Sequence, residues 1–198
     1  MYGCHMAQSA TDTRTVLLDA ALAELLAHGV RRTTASDIAR RAAVSRQTLY
    51  RYWPDVQSLL AELVTRELFA VVPREETAAS LPDLVDDMVR TAERIRDLPL
   101  VQRLRATDPE LFARYVFERL GTSQRGIQRE LARRIGTGQA DGFVRAGDPD
   151  RLAAFVLLIA QSAVQSASLI AEWVSPAQWR EELAAALTGY LVPRGDEP

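Results

Sequence analysis

The chain has 198 residues, 47% of them hydrophobic, with a formal charge of −2 and a pI near 5.8. That balance describes a soluble globular chain with an ample core in one or two domains, and no apolar run is long enough to span a membrane. Cys4 is the only cysteine, which excludes an intramolecular disulfide and a cysteine-based metal site, and with no secretory signal the expected location is the cytoplasm.

The opening MYGCHM resembles a vector-derived leader with Met6 as the native start, so residues 1–12 are expected to be a leader or a disordered tail. From about Thr13 to His28 the chain is good helix, with Val16, Leu17, Ala20, Ala21, Leu25 and Leu26 on its apolar side. Gly29 then Val30 predict a left-handed C-terminal stop, and His28 reads as a favourable charge near that helix end. Two short helices joined by a sharp turn follow in TTASDIARRAAVSRQTLYRYW, from Thr33 to Trp53. Thr34 caps the first, whose small inner face is Ile38, Ala39 and Ala42. Ser45 caps the second, on which Leu49 and Trp53 fall one turn apart. At about 100° per residue its opposite side is centred on Gln47 and Arg51, with Arg46 and Tyr50 along one border and Thr48 and Tyr52 along the other. Such a face suits base edges and phosphates in a major groove. Between Arg31 and Trp53, six arginines against the single Asp37 give +5, so the rest of the chain carries −7 and the basic patch is local.

The run Asp37-Ile38-Ala39, then Ala42-Ala43-Val44-Ser45, then Thr48-Leu49-Tyr50-x-Tyr52-Trp53, resembles the helix-turn-helix of the tetracycline-repressor (TetR) family. The resemblance covers roughly the first third of the chain. It implies an all-α fold, with an N-terminal three-helix DNA-binding domain and a C-terminal helical ligand-binding and dimerisation domain. It further implies phosphate contacts from Thr34, Ser36, Ser45, Tyr50 and Tyr52, with Gln47 and Arg51 centred on the bases and Arg46 and Thr48 reading edges beside them. The chain departs from the family pattern at three positions. Ala43 stands where Gly is usual, Trp53 where Phe is usual, and Val56 where a phosphate-holding lysine is often found.

Beyond Trp53, Pro54 breaks the second helix and Asp55 caps another, striped by Val56, Leu59, Leu60, Leu63, Val64 and Leu68. The expected divisions are thus 13–53 for the helix-turn-helix domain, 54–72 for a connecting helix and 73–198 for a regulatory and dimerisation domain, with the polar PREETAAS at the boundary. Ser80 with Asp83, Asp108-Pro109, Asp148-Pro149 and Ser175-Pro176 mark four further helix starts, and Gln178 completes a capping box with Ser175. Leu98-Pro99 interrupts the first of these helices before a short piece carrying Leu104, while Gly136, Gly138 and Gly142 loosen a later connection.

From Asp148 to Trp173 the spacing predicts one helix, apolar on every side from Leu152 to Ala160. Cover from a partner chain is therefore expected, with Phe155, Leu158, Ser162, Leu169 and Trp173, and Trp179, Leu183 and Leu187 of the last helix, at a homodimer interface. The bland alternative is a buried core helix in a monomer. Gln161, Gln165 and neighbouring serines interrupt the apolar helix, and with Met88, Leu104, Phe112 and Tyr115 they are candidates for a pocket taking a small apolar or aromatic effector. Alternatively these polar groups bond across the dimer or to their own backbone.

The expected partners are double-stranded DNA, a second copy and a small-molecule effector, with no membrane. No cofactor, metal or catalytic residue is assigned. Asp83, Asp86 and Asp87 are the best carboxylates for an enzyme and read more simply as acids near a helix start. A regulator controlled by a partner protein, or by no effector, is the remaining alternative.

Overall fold

Amphipathic stripes at helical spacing with no alternating segments dictate helices, and the computed structural model, which describes residues 3–73, 78–107 and 122–193, is all-α. Its described helices are α1 (Gly3–His28), α2 (Ala35–Arg41), α3 (Arg46–Tyr52), α4 (Val56–Val71), α5 (Leu81–Asp97), α6 (Pro99–Thr107), α7 (Thr122–Ala140), α8 (Pro149–Ser166) and α9 (Pro176–Leu191).

The chain divides into two compact units, residues 1–68 with 98–121, and 69–97 with 122–198. In the first, Leu17, Ala21 and Leu25 of α1 meet Ile38, Leu49, Leu59 and Leu63, and this core also takes Leu100 and Leu104. The expected boundary near residue 73 therefore differs from the packing. Leu98-Pro99 does more than interrupt a helix, because it returns α6 to the first core.

In the second unit Leu84, Val85, Met88 and Val89 of α5 pack with Ile135, with Leu152, Ala153 and Val156 of α8, and with Trp179, Leu183, Leu187 and Leu191 of α9. The expected caps at Thr34, Ser45, Asp55, Ser80, Asp148 and Ser175 are formed, while the helix start expected at Asp108-Pro109 lies outside the described residues. Asp55 accepts from the Ser58 N–H at 2.6 Å, Asp148 from Asp150 at 2.9 Å, and Ser175 and Gln178 close their capping box.

Four local expectations need correction. Residues 3–12, expected in a leader or disordered tail, are helical, since α1 is continuous from Gly3 and the run from Met6 to Arg14 contains no proline or glycine to break it. Gly29 has positive φ but extended ψ (79°, 169°), and it opens a 3₁₀ turn, Val30–Arg32, instead of stopping in the left-handed region. Gly136 and Gly138 lie inside α7 instead of loosening it. A Cβ at 138 would stand 2.6 Å from a Val144 methyl carbon, so this glycine makes room for the chain folding back through Gly142. The helix expected to reach Trp173 ends at Ser166, after which Leu169 N–H bonds to Ser166 and Trp173 N–H to Ile170, both at 2.9 Å. This change to i→i+3 bonding falls where Ser166 and Ser168 replace strong helix formers.

Candidate nucleic-acid interface

The local chemistry of α2 and α3 sets their angle. The Thr34 hydroxyl accepts from the Asp37 N–H at 3.3 Å and donates to the Asp37 carboxylate at 2.6 Å. That hydroxyl bond, ahead of the nearby Arg40, holds the Asp37 carboxyl below its ordinary pKa. At the other end of α2, Val44 N–H reaches the Ala39 carbonyl at 3.0 Å and Ala43 N–H the Arg40 carbonyl at 3.2 Å, a Schellman closure. Ala43 sits at its left-handed position with φ 53°. Ser45 then accepts from the Thr48 N–H at 3.1 Å and starts α3.

On α3, Leu49 is buried and Trp53 closes the helix from below as its C-cap, while Arg46, Gln47, Tyr50 and Arg51 are exposed. Thr48 and Tyr52 are half-buried on the borders of that face, and Thr34, Ser36 and Ser45 are exposed at the two helix starts. The Arg46 guanidinium lies 5.9 Å from the centre of the Tyr50 ring. That of Arg51 lies 5.1 Å from Tyr52, whose hydroxyl accepts from it at 3.2 Å. Cations resting on aromatic faces keep their charge and lose some of their rotational freedom. Thr34, by contrast, commits both its oxygen and its proton to Asp37, so the helix start there has backbone N–H groups to offer an anion.

Three supporting residues escaped the sequence reading. Glu24, buried in α1, takes Arg41 at 2.7 Å and lies 3.5 Å from His28, and Asp37 pairs with Arg40 at 2.8 Å. Two of the six arginines are thus partly neutralised. Behind α3, Arg14 donates to both oxygens of Glu62, and Trp53 Nε1 donates to Glu62 Oε2 at 2.8 Å. Hydrogen bonding from Arg14, with that from Trp53 and the charge of Arg66, holds the Glu62 carboxyl below its ordinary pKa. The signal that pointed to such a residue was the tryptophan itself, since a buried indole N–H needs an acceptor.

The other predicted sets fare differently. Met88 is buried in the α5 core and Leu104 belongs to the first unit, while Phe112 and Tyr115 lie outside the described residues. Gln161 accepts from Gln124 at 3.0 Å, so its amide bonds within its own unit, and Gln165 is half-buried. Phe155, Leu158, Ser162, Leu169 and Trp173 are exposed, at 60% for Leu158 and 75% for Trp173. Trp179, Leu183 and Leu187 are instead buried in their own unit's core and are withdrawn from the expected interface. The stripe on α9 is apolar, and its cover is α5 and α8.

Among the described residues, no group of three or more His, Cys, Asp or Glu could hold a metal ion, and no helix is long and apolar enough to cross a membrane. The sequence pattern of the bacterial regulatory proteins of the tetR family matches residues 17–63, which contain α2, the turn and α3. An uncharacterized HTH-type transcriptional regulator of Mycobacterium bovis, Mb2274c, is 41% identical over 189 residues, covering 94% of this chain and 98% of the relative.

The chain belongs to the TetR family. Its all-helical fold is similar to that of the flavonoid-responsive regulator FrrA, with a TM-score of 0.62 and 22% identity over 93% of this chain and 100% of the other. The SmeT–triclosan complex is similar at a TM-score of 0.59 and 21% identity, over 94% and 93% of the two chains. As a TetR-family member the protein is a DNA-binding transcriptional regulator, and α2, the turn and α3 form its helix-turn-helix.

Proposed function

We propose that this TetR-family regulator is a repressor that binds a near-palindromic operator as a homodimer, through the exposed face of the Ser45 to Trp53 segment, and leaves it when a small apolar or aromatic effector binds. The observation that carries this reading is the outward face of α3, where Arg46, Gln47 and Arg51 are exposed while Leu49 and Trp53 anchor the same helix. Gln47 and Arg51 present an amide and a planar guanidinium at the centre of that face, the groups that bond base edges in pairs. Ser36, Ser45, Tyr50 and Tyr52 stand where phosphates would pass, joined at Thr34 by the backbone of the helix start.

The homodimer is supported by the uncovered side of α8. Phe155 stacks at 6.0 Å on Tyr190 of α9, with Leu158 and Ser162 following along α8 and Leu169 and Trp173 beyond it. Gly189 on the exposed side of α9 has open space where a Cβ would be, which suits close approach of a second helix. Two-fold symmetry then places two copies of α3 in successive major grooves roughly 34 to 36 Å apart. Control by a small molecule is supported by the flavonoid-responsive FrrA and the SmeT–triclosan complex among the structural relatives, both of which involve aromatic compounds.

A mobility-shift assay on the DNA flanking the protein's own gene, at fixed salt and with aromatic candidates added, tests the reading. Retarded DNA that is released by one of them is the expected result, whereas failure to bind at low salt would remove the self-regulating repressor. In the same assay Arg51→Ala is expected to cost about 1 to 3 kcal/mol and to relax specificity at one position. An equal loss on every sequence would reduce Arg51 to a phosphate contact.

A further inference from the structure

We infer that Glu62 is a positioning residue for DNA reading: held by Arg14, it fixes the indole of Trp53 and thereby the rotation of α3 about its own axis. The inference rests on α3 being the reading helix and adds a determinant from outside it.

α3 has seven residues, two turns, and one fully buried side chain, Leu49. A single apolar anchor leaves so short a helix free to roll, and a roll redirects every side chain on the outward face. Trp53, 3% exposed at the C-cap, is the second anchor. Apolar burial alone does not orient an indole, but a directional hydrogen bond does, and the acceptor is Glu62 Oε2 at 2.8 Å. Glu62 is itself oriented. The Arg14 guanidinium donates to both carboxylate oxygens, Nε to Oε1 at 2.7 Å and Nη2 to Oε2, and lies 5.3 Å from the centre of the Trp53 ring. Each of the three side chains therefore touches the other two, joining α1, the end of α3 and α4. A forked charge-assisted pair of this kind adds geometry as well as energy.

On its other side Trp53 leads directly to the reading face. The Tyr52 ring centre is 5.7 Å from that of Trp53, and Arg51 rests on Tyr52. The path from Glu62 to Arg51 is thus Trp53 and Tyr52. Base reading by a guanidinium tolerates displacements of only about 0.5 Å, so the clasp affects sequence discrimination more than phosphate attraction. A phenylalanine at 53 would keep an aromatic ring there, smaller than the indole, and offer no donor.

The test uses the full-length protein, a duplex selected from a random library by the unmodified chain, and a scrambled duplex of the same composition, at one salt concentration. Glu62→Gln is expected to weaken binding to the selected duplex about tenfold while leaving the scrambled duplex within about twofold, because the phosphate contacts are untouched. Trp53→Phe should show the same selective loss, and Glu62→Gln, which disrupts the two-oxygen pairing with Arg14, should cost less when added to Trp53→Phe than it does alone, since Glu62 acts on α3 through Trp53. Unchanged affinity for the selected duplex overturns the proposal, and so does an equal loss on both duplexes, which a merely structural role would produce. If Glu62→Gln lowers the melting temperature below the assay temperature, Trp53→Phe decides alone, and full selectivity in that variant overturns the clasp. An unmodified chain that selects no sequence would overturn the reading of α3 and the clasp with it. Normal selection beside an indifferent Glu62→Gln would overturn the clasp alone.

Discussion

The two compact units use charge and apolar surface in opposite ways. In the first, ion pairs such as Arg14–Glu62, Arg40–Asp37 and Arg66–Asp19 lie at or near the surface, and the exposed face of α3 is polar. The second carries an ion pair inside, Asp87–Arg134 at 2.6 Å with both side chains more than nine-tenths buried, and leaves Phe155, Leu158, Leu169 and Trp173 exposed. Asp87 also pairs with Arg90, Arg90 with Asp86, and Arg180 with both Asp86 and Glu93, so charges of alternating sign tie α5 to α7 and to α9. The contrast teaches that exposure has a different meaning in each unit. On the proposed function, polar exposure in the first presents hydrogen-bonding groups to DNA, whereas apolar exposure in the second is the surface a second copy would complete.

The largest expected effect breaks the buried pair. Asp87→Asn leaves the Arg134 charge in the core, where its Nε already has no hydrogen-bond partner among the described residues. Urea unfolding should show a loss of about 3 to 5 kcal/mol, while Asp87→Leu combined with Arg134→Met should recover most of it. A loss below about 1 kcal/mol for Asp87→Asn would mean that water reaches the pair and that the contrast between the units is overstated. Next in size is Leu158→Arg. Its side chain is 60% exposed, so helix content and monomer stability should hold while sedimentation equilibrium shows dimer association weakened by about 2 kcal/mol or more. An unchanged dimer would move the interface away from α8.

What sequence reading recovered depended on range. Thr34, Ser45, Asp55, Asp148 and Ser175 were legible because a cap is written within four residues, and the outward set on α3 followed from periodicity alone. Glu62 and Glu24 were not, because their partners Arg14 and Arg41 lie 48 and 17 residues away and no local pattern encodes the pairing. Trp179, Leu183 and Leu187 show a related limit. A stripe announces that a face is covered and is silent about whether its own chain or another covers it, so the α9 stripe was assigned to a partner when α5 already occupied it. The return of α6 to the first core was hidden for the same reason, since Leu100 and Leu104 would suit either core.

The smallest effect bears on the turn that gives the first unit its shape. Ala43 holds φ at 53°, a conformation that costs an L-residue roughly 1 to 2 kcal/mol, and its exposed methyl group is not part of the core. Glycine removes that strain but loses more backbone entropy on folding, an offset of about 0.4 to 1 kcal/mol. Ala43→Gly should therefore stabilise the protein by about 0.5 to 1 kcal/mol, a rise of a few degrees in melting temperature that calorimetry resolves. DNA affinity should stay the same, because the backbone bonds from Ala43 and Val44 to Arg40 and Ala39 hold the turn whichever residue occupies it. A glycine variant that melts lower would show that chain entropy outweighs strain here. One that melts higher but binds DNA more weakly would show that a turn stiffened by alanine helps to hold α3 for reading, and the polar exposure of the first unit would then depend on strain as well as on caps and the Glu62 clasp.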